Sequence, residues 1–175
     1  MNETLARWNQ LPAEEAEQEI LACCASPAWA KVMVRHRPIT EEATLLSLSD
    51  DIWRRLSHSD RMEALRSHPR IGERLRENPR GETRADARSR DWSTGEQSQV
   101  AKTEESIKLA LAAANQEYES RFGRTFIVCA TGKSATEILN ALRRRLENDP
   151  STELLVAAEQ QRQITQIRLK KWISE

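Results

Sequence analysis

The chain has 175 residues, enough to bury one substantial core, and we expect a single domain over residues 1–175. Its 27 basic and 27 acidic residues give zero net charge, so no overall field draws it to nucleic acid or to an anionic membrane. With 5 glycines and 6 prolines among many good helix formers, the composition predicts an all-α fold. We expect a compact bundle of about eight to ten helices.

The cysteines and the first residues of the sequence bear on its compartment. Cys23 and Cys24 are adjacent and Cys129 stands alone, a pattern that does not indicate a disulfide framework. Neither the cysteines nor the three histidines show the spacing of a metal site, so we expect no bound metal. The first residues lack a secretory signal, and no apolar run is long enough to span a membrane. We therefore expect a cytoplasmic protein without a membrane partner.

Helix-start and helix-stop signals divide the first half of the chain into four predicted helices, at about residues 12–24, 26–36, 40–53 and 59–68. The fourth ends at His68, because a residue that precedes proline is disfavoured in the α region. Residues 78–91 contain Pro79, Gly81 and four arginines. We expect a mobile basic surface loop there.

The second half predicts three longer helices. Ser93-Thr94-Gly95-Glu96 has the form of a capping box, and the helix that it opens is closed by Gly123. A second capping box, from Ser134 to Glu137, begins a helix to Asn148, and a last helix follows Pro150 to about Trp172. Between the first two, residues 125–130 form an apolar run too short for a helix and with no partner strand, so we expect irregular backbone there.

His68 is the first candidate for chemistry. At the C-terminal end of a helix, its imidazole lies in the negative part of the helix dipole, which favours the protonated form and suits a general acid. The alternative is a structural histidine that hydrogen-bonds the last helix carbonyls.

Ser93 and Glu96 are explained completely by the predicted cap. The functional alternative is that the free N–H groups of this helix start bind an anion, with Gln97 binding an amide or urea group through its paired donor and acceptor.

Arg168 lies on the predicted buried stripe of the last helix. Its side chain either reaches from the end of the stripe to solvent, or its guanidinium binds a carboxylate bidentately inside a pocket. The buried N–H and C=O groups of residues 126–130 also need partners. A flat polar ligand would satisfy them, and so would packing with bound water.

These segments together resemble the 2-oxo-4-hydroxy-4-carboxy-5-ureidoimidazoline (OHCU) decarboxylases. The resemblance covers nearly the whole chain in order, although Ile39 replaces an aromatic residue and Ser98 and Gln99 stand where a glycine is common. The motifs that carry it are Trp29-Ala30, Arg37-Pro38, His68-Pro69-Arg70-Ile71-Gly72, Ser93-x-x-Glu96-Gln97, Tyr118-x-x-x-Phe122-Gly123, Phe126-Ile127-Val128-Cys129-Ala130 and Arg168-Leu169.

The resemblance implies an all-helical enzyme that needs no cofactor, forms a homodimer and converts a small anionic ureidoimidazoline to (S)-allantoin in urate breakdown. It implies that His68 and Glu96 are the catalytic residues. It also implies that the substrate is held by Pro69, Ser93, Gln97, Phe126, Ile127, Val128, Cys129, Ala130 and Arg168.

A different class of function remains open from the residues alone. A helical interaction module or nucleic-acid-binding module would use the arginine clusters at Arg84, Arg88 and Arg90, or at Arg143, Arg144 and Arg145. Acidic residues are interspersed with both clusters, which favours solvated helix faces instead.

Overall fold

The computed structural model describes residues 2–72, 83–101 and 103–175. Over these ranges it has ten α-helices and no strand, so the predicted all-α class is confirmed. The helices are α1 (Glu3–Gln10), α2 (Ala13–Cys24), α3 (Pro27–Arg35), α4 (Glu42–Arg55), α5 (His58–Arg66), α6 (Arg84–Glu96), α7 (Ser98–Ala101), α8 (Glu105–Phe122), α9 (Ala135–Arg145) and α10 (Pro150–Ser174). None of the helices described is both long and apolar enough to cross a bilayer.

The internal contacts of the chain divide it into two compact units. Among the described residues, the first unit contains 2–64, 83–89 and 162–175, and the second contains 65–72, 90–101 and 103–161. The expectation of a single domain over residues 1–175 stays a prediction.

Local capping chemistry sets several boundaries where the sequence predicted them. The Ser26 hydroxyl accepts a hydrogen bond from the Trp29 N–H at the start of α3, and α3 ends before Arg37-Pro38. The predicted capping box of α9 is confirmed, because Ser134 and Glu137 bond reciprocally. Gly123 closes α8 in the left-handed conformation, at φ 65°, and its N–H donates to the Glu119 carbonyl.

The capping box predicted at Ser93 is wrong. Helix α6 runs Arg84–Glu96, so Ser93 and Glu96 lie at its C-terminal end, and α8 begins only at Glu105. A reciprocal pair just before α6 supplies the cap instead: the Asp86 N–H donates to the Thr83 hydroxyl at 3.1 Å, and the Thr83 N–H donates to the Asp86 carboxylate at 3.0 Å. The expected loop at residues 78–91 is therefore also wrong for residues 84–91, while residues 78–82 lie outside the described ranges.

The first unit is built around buried aromatic side chains. Helix α2 packs on α3, and α3 packs on α4. Trp8 of α1 meets Trp172 of α10 edge to face, with ring centroids 5.6 Å apart, and the Asn2 amide donates to the Ile173 carbonyl at 2.7 Å. The Arg37 guanidinium donates to the Trp8 and Leu11 carbonyls at 2.7 and 2.8 Å, which satisfies the carbonyls at the end of α1.

The second unit has its core between α8 and α9. An apolar stripe runs along α8: Leu111, Ala114 and Tyr118 are buried, and Ile107 and Phe122 are partly buried beside them. The α9 face that meets it carries Ile138, Leu139 and Leu142. Phe126 and Val128 of the irregular segment 126–130 pack into the same cluster, so this segment is part of the core of the unit.

Candidate active site

The segment 68–72 follows α5 and is held by side chains of the second unit. Arg70 forms a bidentate pair with the Glu119 carboxylate, at 2.6 and 2.5 Å. The Ile71 carbonyl accepts from the Asn115 amide at 3.1 Å. The Gly72 N–H donates to the Gln97 side-chain oxygen at 3.1 Å. Two of the predicted site motifs, 68–72 and Gln97, therefore lie side by side.

His68 is half-buried and lies just after α5, which ends at Arg66, two residues earlier than predicted. Its Nε2–H donates to the side-chain oxygen of Gln161 on α10, at 2.5 Å. Gln161 is fully buried. The imidazole is thus fixed by a rigid helix that lies 93 residues further along the chain, a contact that local sequence patterns do not reveal.

Ser93, Glu96 and Gln97 occupy the end of α6 and the residue after it. Ser93 is buried, and Glu96 and Gln97 are half-buried. The C-terminal end of a helix carries the negative part of the dipole, so the anion site predicted at a helix start is wrong. The capping-box explanation of Glu96 is also wrong, because this residue is the last of α6 and does not lie in the first turn of a helix.

The segment 126–130 has no regular secondary structure, as predicted, and all five of its residues are buried. The Arg145 guanidinium donates to the Ile127 carbonyl at 2.6 Å. The Cys129 N–H donates to the Gln160 side-chain oxygen at 3.0 Å, and Lys133 donates to the Cys129 carbonyl at 2.6 Å. Side chains of α9 and α10 and of the turn that precedes α9 therefore fix this backbone.

A buried ion pair between Arg145 and Glu153 supports the segment 126–130. The fully buried Glu153 accepts from Arg145 Nε and Nη2 at 2.9 and 2.6 Å, from Asn148 at 2.8 Å, and from the Tyr118 hydroxyl. Burial, together with the hydrogen bond to Glu153, raises the pKa of Tyr118 to about 12. The guanidinium of Arg145 lies 4.5 Å from the centroid of the Phe126 ring.

Sequence reasoning missed this ion pair and placed Arg145 in a surface cluster. Arg145 is buried, whereas Arg143 and Arg144 are exposed, so the three do not form one basic surface. The available signal was periodicity, because Arg145 follows Ile138 and Leu142 at spacings of seven and three, on the buried face of α9.

Arg168 belongs to the first unit and is 1% exposed, so it does not extend its charge to solvent. Its Nη1 donates to the Ala22 carbonyl at 3.2 Å and to the Ser89 hydroxyl at 3.0 Å. Cys23 and Cys24, which follow Ala22, are buried, and burial raises the pKa of both thiols, that of Cys24 to about 12.

Side chains that bind metals are not clustered in the part of the chain that the structure describes. Over residues 2–72, 83–101 and 103–175, no group of three His, Cys, Asp or Glu side chains is placed to hold a metal ion.

Known proteins resemble this chain over most of its length. The family model of OHCU decarboxylase matches residues 9–170. The uric acid degradation bifunctional protein TTL of Arabidopsis thaliana is 36% identical over 163 residues, which is 93% of this chain and 48% of that protein. The 2-oxo-4-hydroxy-4-carboxy-5-ureidoimidazoline decarboxylase of Haloferax volcanii is 25% identical over 149 residues, 85% of this chain and 83% of that protein.

Solved structures agree with these matches. A crystal structure of OHCU decarboxylase in the presence of (S)-allantoin superposes with a TM-score of 0.75 at 34% identity, covering 90% of this chain and 99% of that one. A crystal structure of (S)-allantoin synthase has the same fold, with a TM-score of 0.71 at 18% identity over 96% of this chain and 53% of that one. This chain spans about half or less of the bifunctional proteins that it matches. On the match that reaches from residue 9 to residue 170, the chain belongs to the OHCU decarboxylase family.

Proposed function

We propose that this protein decarboxylates 2-oxo-4-hydroxy-4-carboxy-5-ureidoimidazoline to (S)-allantoin without a cofactor. Membership of the family supports the reaction, as do the names of the relatives. The observation that carries the proposal is the placement of His68, whose imidazole is held by a buried glutamine in a segment that three further side chains anchor. A histidine imidazole held in a fixed position is suited to proton transfer.

The chemistry of the substrate explains why a histidine suffices. One ring carbon carries both the carboxylate and a hydroxyl, and the neighbouring carbon forms a C=N bond and bears the ureido group. When the bond to the carboxylate breaks, CO2 leaves, its electron pair forms a C=C bond between the two carbons, and the C=N π electrons move to nitrogen, which takes a proton. Because the imine of the substrate accepts the electrons, no electron sink from a cofactor is needed.

The second half of the reaction sets the stereochemistry. The enol hydroxyl loses its proton and becomes a carbonyl, while the ureido-bearing carbon takes a proton on one face. We assign these transfers to His68, with Glu96 orienting the imidazole or balancing its charge. Glu96 is half-buried at the C-terminal end of α6, next to Gln97, whose side chain binds the segment 68–72.

The remaining predicted residues would hold the substrate. We propose that Pro69, Gln97 and Ser93 contact the ring and the ureido group. The binding of a carboxylate by Arg168 stays a prediction. The backbone of residues 126–130 would supply further hydrogen bonds. Its groups do not belong to a helix or a strand, and its position is fixed by Arg145, Gln160 and Lys133.

The test generates the unstable substrate in situ from urate and follows the circular dichroism of the allantoin formed. Spontaneous decay gives racemic product, so optical activity reports the enzyme alone. We expect His68→Asn to fold normally and to lose on the order of 10²–10⁴-fold in rate. His36→Asn and His58→Asn are the matched controls, because both histidines are exposed, and they should retain the parent rate. Optically active allantoin at the parent rate from His68→Asn would refute the assignment.

Glu96→Gln separates catalysis from structure. The substitution keeps the size and most of the hydrogen-bonding capacity of the side chain and removes its charge. We expect a large loss of turnover with a change in the free energy of unfolding within about 0.5 kcal/mol. Equal turnover in the variant and the parent would return Glu96 to a passive role.

We also propose a cytoplasmic homodimer that acts without a metal. Light scattering coupled to size exclusion should give twice the mass of one chain, and turnover should survive exhaustive treatment with EDTA. A monomer with full activity would contradict the first expectation, and rescue of a chelated enzyme by zinc would contradict the second.

A further inference from the structure

Two adjacent glutamines of α10 hold two different parts of the candidate site. The Gln161 side-chain oxygen accepts the Nε2–H of His68, and the Gln160 side-chain oxygen accepts the N–H of Cys129. Gln161 is fully buried, so its amide has little freedom to reorient. Neither glutamine belongs to the motifs by which the sequence resembles its family.

The Gln161 contact determines where the protons of His68 reside. A carboxamide oxygen only accepts hydrogen bonds, so His68 Nε2 carries a hydrogen in both the neutral and the protonated ring. A neutral imidazole has one ring proton. The proton that His68 gains and loses is therefore the one on Nδ1.

We propose that Gln161 is a positioning residue for His68: it fixes the orientation and the tautomer of the imidazole, and thereby makes Nδ1 the atom that exchanges a proton with the substrate. This inference rests on the proposed function, because it assigns one atom of His68 to the proton transfer described there. An uncharged acceptor suits the task. A carboxylate at the same place would hold the ring in its protonated form.

Charged groups around His68 are the same in the parent and in any variant of Gln161. Within two residues of His68 in the chain these are Arg66 and Arg70, with Arg70 paired to Glu119; Glu96, which we propose acts with His68, is a third acidic or basic group that stays unchanged. A difference in proton affinity between the parent and a Gln161 variant therefore reports the side chain at position 161.

The first measurement uses nitrogen NMR of the imidazoles and needs no turnover. The chain has three histidines, and His68→Asn identifies the signals of His68. We expect the parent to show a protonated Nε2 and a bare Nδ1 in the neutral ring, and Gln161→Met to lose the hydrogen-bonded Nε2 proton. In Gln161→Glu, whose carboxylate still accepts from Nε2, we expect the titration of His68 to move up by roughly 1–3 pH units.

The second measurement is the pH profile of kcat/KM. The profile of Gln161→Glu should move up by the same amount as its NMR titration. Gln161→Met should lose on the order of 10–100-fold in kcat with little change in KM, because the ring is misplaced. Gln116→Glu is the matched control: it adds the same charge at an exposed position of α8 in the same unit, and its profile should coincide with that of the parent.

Each outcome decides the proposal. A neutral His68 with its proton on Nδ1 overturns it, and so does an unshifted titration in Gln161→Glu. An NMR shift without a matching shift in the kcat/KM profile makes Gln161 a structural residue only. If Gln161→Met does not fold, Gln161→Glu has the same length and carries both tests. A parent without turnover would refute the proposed function, and the NMR spectra would still establish or exclude the tautomer.

Discussion

Replacement of Arg145 by methionine tests how the segment 126–130 is supported. Methionine keeps most of the length of the side chain and removes the guanidinium, which donates twice to Glu153 and once to the Ile127 carbonyl. Glu153 is fully buried, so the substitution leaves a carboxylate without its counter-charge in the core. Breaking a buried ion pair in this way costs about 3–5 kcal/mol.

The assay is urea unfolding of the variant and the parent at neutral pH, with thermal melting beside it. For a chain of 175 residues, a loss of this size lowers the melting temperature by about 10 °C. Arg144→Met is the matched control, because Arg144 is exposed and adjacent, and it should change the free energy of unfolding by less than about 0.5 kcal/mol.

A second substitution tests the same ion pair. Adding Glu153→Leu should recover much of the loss, because the double variant buries no lone charge. Equal unfolding midpoints for Arg145→Met and Arg144→Met would refute this account of the core.

Three further predictions follow from described contacts. Tyr118 is the only tyrosine, and its pKa is raised to about 12, so tyrosinate absorbance should appear only as the pH approaches that value. The stability that Tyr118 contributes should be lost as the pH rises from about 10 to about 12, whereas ionisation near 10 in the folded protein would contradict its burial. The three buried thiols should resist a disulfide reagent at pH 8 and all react in denaturant, whereas reaction of any one in the native protein would show that its site opens. Ser134→Ala should lower the free energy of unfolding by about 1 kcal/mol, because it removes the capping box of α9. Thr136→Ala, in the same turn, should change it little, and equal losses in the two variants would assign the effect to helix propensity.

Helix ends that are determined by adjacent residues could be predicted from the sequence. The cap at Ser134, the stop at Gly123 and the break before Pro38 each depend on a few adjacent residues, and each is present in the structure. The irregular run 126–130 was predicted because it is too short for a helix and has no partner strand.

The start of α6 was predicted wrongly because two segments carry similar capping chemistry. Thr83 and Asp86 form the reciprocal pair, and Ser93 and Glu96 have the same spacing ten residues later. Once the earlier cap forms, the helix continues through the later one, and Gly95 costs only about 1 kcal/mol within it. Capping patterns in the sequence do not indicate which of two such helix starts will form.

Contacts between distant residues could not be predicted from local patterns. His68 and Gln161 are 93 residues apart, and nothing about a glutamine in a helix indicates a histidine as its partner. The predicted site residues themselves came from motifs, and the side chains that hold them in place, Gln160, Gln161 and Arg145, emerged only from the packing.

The contact between α1 and the last turns of α10 in the first unit has a consequence for how this protein is made. Asn2 bonds to Ile173, a separation of 171 residues, and Trp8 packs against Trp172. On the ribosome, α1 therefore emerges long before the residues that cover it, and Trp8 lacks this partner until synthesis has passed residue 172. Closing so long a loop is slow and carries a large entropic cost. The first unit therefore gains its last helix segment only after the whole second unit has been synthesised, although most of its helices are synthesised first.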